Sequence, residues 1–207
     1  MSDLYNSMTE LVRTHNDSND FMFSVDYRES SNLITAIHGG GIEAGTSELA
    51  QYTAEITNSN YFSFKGLKSS DNTELHVTST HYDNPLLLTL NSQMNHTVSI
   101  HGYGDSEKNT YIGGSDKQLV TLISQYLTTA GFKNTIAPSN LGGVDIDNVT
   151  NKNKRGAGVQ LELSTAQRKA LFNNNDFSRA NRESRINWSD DLRNYANAIA
   201  KALSYVN

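Results

Sequence analysis

The stretch Asn32-Leu33-Ile34-Thr35-Ala36-Ile37-His38-Gly39-Gly40-Gly41-Ile42-Glu43 decides how this chain is read. From Asn32 to Ile37 apolar and β-branched residues follow one another almost without polar interruption, as in a strand buried on both faces. Gly39-Gly40-Gly41 then breaks the run. Glycine loses more backbone entropy on folding than any other residue, so a triple-glycine turn makes sense where backbone passes close to something. A helix is expected from about Gly45 to Ile56, with Thr46 or Ser47 as its cap. Strand, tight turn and helix together open an α/β unit.

Outward from this stretch the pattern repeats. Leu4, Met8, Leu11 and Val12 recur at helical spacing over residues 3–14. Tyr61–Phe64 and Glu74–Thr78 read as two strands joined by a Ser-Ser-Asp-Asn turn. A Pro-led helix is expected from Pro85 to Met94, then a short strand at Thr97–Ile100. Lys117–Ala130 is amphipathic and Gly131 ends it. Val159–Leu163 is a strand, Thr165–Phe172 a helix and Trp188–Val206 a closing amphipathic helix. The alternation predicts a single α/β domain over residues 1–207, an open, mostly parallel or mixed sheet flanked by helices.

Composition narrows the chemistry. With no cysteine among 207 residues, disulfides, iron–sulfur centres, Cys-type zinc sites and thiol nucleophiles are excluded. Any catalytic metal sits on His, Asp or Glu. The net charge of −5 argues against nucleic acid. It hides a polarity: residues 1–151 hold 7 Lys/Arg against 17 Asp/Glu, and residues 152–207 hold 10 against 5, so a basic face for an anionic ligand is possible. No run approaches the roughly 20 apolar residues that span a bilayer, and no membrane association is expected. Met1-Ser2-Asp3-Leu4-Tyr5 lacks a basic leader before an apolar stretch, so the expectation is a chain made in the cytoplasm without a signal peptide.

The residues with chemistry cluster at strand ends. His38 ends the first strand, Glu43 lies in the turn after it, His101 ends another strand and Glu162 lies near the end of a late one. Ligand sites of open α/β sheets lie beyond the carboxyl ends of strands. Three functional readings of the glycine turn compete with a purely structural strand–helix turn. Gly39-Gly40-Gly41-Ile42-Glu43-Ala44 fits a dinucleotide fingerprint, but Glu43 would face the pyrophosphate and no acid ends the next strand. An esterase oxyanion loop would need a G-x-S-x-G elbow, and Gly113-Gly114-Ser115-Asp116-Lys117 lacks the last glycine. The third reading is a zinc site of His38, Glu43 and His101 with one position open. A hydrogen-bonded structural role for His101 stays open beside it.

Glu162, between Leu161 and Leu163, is costly to desolvate unless paired or functional, and burial would raise its pKa as a general base requires. An exposed strand position is the alternative. Arg155 and Arg168, near it in sequence, are candidate anchors for substrate carboxylates, and His81 is a candidate to bind substrate or orient a ligand. His76 reads as a structural sheet residue, and His15 and His96 as surface.

Five ordered blocks carry a resemblance: Ile37–Glu48, Leu75–Asp83, Ser99–Gly102, Ile112–Gly114 and Gly158–Ser164. Together they resemble the poly-γ-glutamate hydrolases of bacteriophages and their bacterial relatives. The resemblance implies a zinc-dependent hydrolase with a zinc-carboxypeptidase-like α/β fold. It makes His38, Glu43 and His101 the Zn2+ ligands and Glu162 the catalytic carboxylate. The implied substrate is the γ-linked polyglutamate of bacterial capsules, an anionic polymer reached outside the cell after host lysis, and a monomer is expected. A zinc amidase or carboxypeptidase acting on another γ-glutamyl or peptide substrate, and a non-catalytic capsule-binding module, are the rival functions.

Overall fold

The computed structural model describes residues 3–206. Its strands are β1 (Phe21–Asp26), β2 (Asn32–Gly40), β3 (Asn60–Gly66), β4 (His96–Tyr103), β5 (Thr110–Gly114), β6 (Asn134–Ile136) and β7 (Val159–Ser164). They form one seven-stranded sheet in the order β1-β3-β2-β4-β7-β5-β6. The central strands β3, β2, β4 and β7 are parallel. β1 runs antiparallel to β3 and β5 antiparallel to β7, with β6 parallel to β5. The architecture is the mixed, mostly parallel α/β sheet that the sequence predicts.

The helices are α1 (Met8–Thr14), α2 (Thr46–Ile56), α3 (Pro85–Asn91), α4 (Lys117–Thr129), α5 (Thr165–Ala170), α6 (Arg179–Arg182) and α7 (Asp190–Leu203). Asn84 caps α3 ahead of Pro85, and Asp116, Ser164 and Ser189 cap α4, α5 and α7 through their side-chain oxygens. The cap of α2 departs from expectation: it is Gly45, in the left-handed region, with no side-chain cap bond. Thr46 and Ser47 bind the glycine turn instead, Thr46 Oγ1 donating to Glu43 O and Ser47 Oγ accepting from Gly40 N.

Strict alternation along the inner strands sorts side chains to two cores. Ile34, Ala36, Val98, Ile100, Val159, Leu161 and Leu163 meet residues of α2, α4 and α7 on one face. Leu33, Ile37, Phe62 and Phe64 meet α1, α3, Leu75 and Val77 on the other. The residues between the apolar ones, Ser99 and His101 on β4 and Gln160 and Glu162 on β7, therefore share a face. The parallel register sets His101 beside Glu162.

Residues Glu74–Thr78 are not a strand. Glu74 and Leu75 end a 3-10 turn over Asn72–Leu75, and residues 76–78 run irregularly to a second turn at Ser79–His81. Leu75 and Val77 are buried, which is the source of the strand-like alternation. Side chains satisfy this backbone: Asp3 accepts from Thr78 N, and His38 Nε2 donates to Val77 O. The strands β1, β5 and β6 were not anticipated.

Candidate metal centre

β2 continues through His38 to Gly40, with its register shifting between Ala36 and Gly39. Gly40 has φ of 65°, and a Cβ there would lie 2.4 Å from Gly66 O. The glycines thus let β2 press against β3, and the chain then turns back, Glu43 N donating to His38 O. This return places the Glu43 carboxylate beside the imidazole of His38.

Three of the expected residues converge. His38 Nδ1 lies 3.1 Å from His101 Nδ1 and 3.2 Å from Glu43 Oε1, and His101 Nδ1 is 3.8 Å from Glu43 Oε2. Donors bound to one tetrahedral ion at zinc-like distances sit about 3.3 Å apart. Each donor is oriented from behind: Val77 O receives His38 Nε2–H, Ser99 Oγ holds His101 Nε2, and Gly102 N donates to Glu43 Oε2. Such outer contacts fix tautomer and ring orientation in metal sites. His38, Glu43 and His101 fit a divalent cation.

His76 joins them, although the sequence pattern made it structural. Its ring stacks on His38 with centroids 3.9 Å apart, and its Nε2 is 4.0 Å from Glu43 Oε1. Donor atoms of His38, Glu43 and His76 all lie within 4.8 Å of one another, so two donor triads share His38 and Glu43.

Electrostatics follow from burial and the shared charges. Burial opposes ionisation of Glu43, but the imidazoles of His38, His101 and His76 outweigh it and hold the carboxyl at about 2. Burial likewise disfavours charge on His38, yet Glu43 raises its pKa overall. Burial pushes His101 down to about 3, leaving it a neutral donor. Glu162 is driven well above the usual carboxylate range by burial and then by the charge of Glu43. It is 5% exposed, so the exposed-strand alternative falls, and Gln160 Nε2 donates to its Oε1.

Glu43, His76, Tyr103 and Arg168 line a cleft of about 490 Å³, with Asp3 and Thr73 also in its wall. Arg168 packs over Gly102 and donates to Leu163 O, Ala44 O, Tyr103 O and Thr165 Oγ1. A guanidinium carries five N–H groups, so one on Nη1 is without a partner among the described residues.

Two expected residues lie elsewhere. Arg155 precedes β7 and reaches Asp116 Oδ2 at 2.6 Å and His96 Nδ1 at 2.7 Å, at the amino ends of the strands. Along β4 alone, His96 and His101 are separated by about 17 Å. Arg155 is placed there by the buried charge of Asp116, and His96, expected at the surface, is buried in the same cluster. His81 is exposed in its 3-10 turn and lines a separate cleft with Ser7, Asp83 and Lys152. His15 is half-buried, between Tyr5 and Asp20.

An open α/β sheet with a histidine–carboxylate cluster beyond its parallel strand ends defines a candidate metallohydrolase. The chain belongs to the poly-γ-glutamate hydrolase family, whose model matches residues 5–198. It is 40% identical over 174 residues to the SPβ prophage-derived protein YoqZ of Bacillus subtilis, covering 83% of this chain and 62% of that relative's length. A solved bacteriophage poly-γ-glutamate hydrolase superposes with a TM-score of 0.95 at 37% identity, covering 99% of this chain and 98% of the other. The zinc-free apo form of YndL, a Bacillus subtilis protein, superposes with a TM-score of 0.92 at 32% identity, covering 99% of both chains.

Proposed function

We propose that this chain, acting as one catalytic domain, cleaves the γ-amide bonds of poly-γ-glutamate with zinc held by His38, Glu43 and His101. The observation that carries the reading is the convergence of three oriented donors at 3.1–3.8 Å, next in register to a buried carboxyl. The family and the zinc-free description of the related YndL structure support the choice of substrate and ion. When bound, zinc supplies Lewis acidity, which makes water and an amide carbonyl more reactive.

The remaining work belongs to the chain's own side chains. Glu162 takes the proton of the attacking water and returns it to the leaving amine. Gln160 holds the Glu162 carboxyl in place. The free N–H of Arg168 faces a substrate with a carboxylate on every repeat, and the basic balance of residues 152–207 suits the same polymer. Arg155 and His81 have no part in this reading.

The test is incubation with γ-linked polyglutamate, with and without chelator and added zinc, followed by size analysis. Shortening that stops with chelator and returns with zinc is expected. An intact polymer in the presence of zinc overturns the reading.

A further inference from the structure

Asp3 and His76 are far apart in sequence, yet the Asp3 carboxylate is fully used in the wall of the cleft. Oδ1 lies 2.6 Å from His76 Nδ1 and Oδ2 lies 2.6 Å from Thr78 N. A carboxylate accepts, so Nδ1 of His76 carries the proton and Nε2 is left with its lone pair. That Nε2 belongs to a side chain 34% exposed and lining the cleft, and at 4.0 Å it is beyond hydrogen-bond reach of Glu43 Oε1. His76 stacks on His38, while the strand order β2-β4-β7 sets Glu162 on the opposite flank of His101. An unsatisfied acceptor thus faces the cleft on the His38 side of the cluster, and the buried Glu162 carboxyl sits on its other side.

We propose that Asp3 is a positioning residue, and that the Nε2 it presents on His76 accepts the N–H of the scissile amide. The inference rests on the γ-amide hydrolase reading above. As water adds, a C–O bond forms, the water proton passes to Glu162 and the amide nitrogen becomes tetrahedral with a lone pair. An N–H anchored on His76 turns that lone pair toward Glu162, which delivers the proton as the C–N bond breaks. His76 neither gains nor loses a proton. An ester has no N–H, so this contact discriminates amides from esters of the same shape.

The experiment uses the zinc-loaded protein, a short γ-linked glutamate oligomer, and its counterpart with an ester oxygen in place of the scissile N–H. Asp3→Asn keeps the shape but turns a donor toward Nδ1, which moves the His76 proton to Nε2, as the equivalent exchange does in serine proteases. In the variant kcat on the amide should fall roughly ten- to a hundredfold with little change in KM, and far less on the ester. Nitrogen NMR of His76 should show the proton moving from Nδ1 to Nε2, with zinc affinity unchanged. His76→Ala should give the same split between amide and ester, which serves if Asp3→Asn fails to fold.

Wild-type kcat on the amide in Asp3→Asn, or an equal loss on both substrates, overturns the proposal. A tenfold loss of zinc affinity in His76→Ala also overturns it, making His76 a ligand instead. A wild-type protein that does not cleave the amide with zinc removes the proposed function and this contact together. Zinc-dependent wild-type cleavage with an unselective variant removes the contact alone.

Discussion

Glu162 and Arg155 show how differently two charged side chains from one stretch of sequence are used. Glu162 lies on β7 with Leu161 and Leu163 turned to the opposite face, so it is buried beside His101 and, among the described residues, Gln160 alone donates to it. Glu162→Gln preserves the shape and the hydrogen-bonding size but cannot take a proton. Zinc content should be unchanged by metal analysis, while kcat falls by roughly 10²–10⁴. Arg155 neutralises Asp116, whose other oxygen caps α4. Arg155→Ala should leave kcat and KM for polyglutamate unaltered at low and high salt. It should lower unfolding free energy by about 1–3 kcal/mol in denaturant titration, because a buried carboxylate loses its partner.

At the scale of elements, the glycine turn between β2 and α2 is the piece on which the site depends. A Cβ at Gly40 meets backbone atoms of Gly66, which cannot swing aside, and the φ of 65° is itself unfavourable for other residues. A Cβ at Gly41 first meets the end of the Asn72 side chain, which can shift more readily than backbone. Gly40→Ala should therefore cost roughly 2 kcal/mol or more and Gly41→Ala clearly less, measured as shifts in denaturation midpoint. Close packing of β2 on β3 is the reason for the glycines, a cause that neither the dinucleotide nor the oxyanion reading supplied. The Glu74–Thr78 segment makes the complementary point. Its buried Leu75 and Val77 alternate as in a strand, but its backbone is held by Asp3 and His38 rather than by a ladder.

For the molecule as a whole, the cluster sets the Glu43 carboxylate against the imidazoles of His38, His76 and His101, and a cation held there as proposed would join these buried donors. Zinc that binds only the folded chain stabilises it, by about 4 kcal/mol when free ion is a thousandfold above Kd. Chelation should accordingly lower Tm by calorimetry. The effect should weaken in acid: His38 is held above its usual pKa by Glu43, so as the pH falls its proton competes with the ion. A Tm gain from zinc that is independent of pH would place the ion away from His38.

Much of this was written locally. Apolar runs, helix caps and glycines report nearest-neighbour chemistry, so the α/β class, strands at Asn32–Ile37 and Val159–Leu163, and the strand-end placing of His38, His101 and Glu162 were legible in the residues themselves. The convergence of His38, Glu43 and His101 was an expectation that register and a backbone return made geometric. Only the tertiary structure brought in His76 and Asp3, and only it sent Arg155 and His81 away. Proximity along the chain says nothing about direction: a strand of a few residues carries its ends to opposite edges of the sheet, while a hydrogen bond can join residues that no local pattern connects.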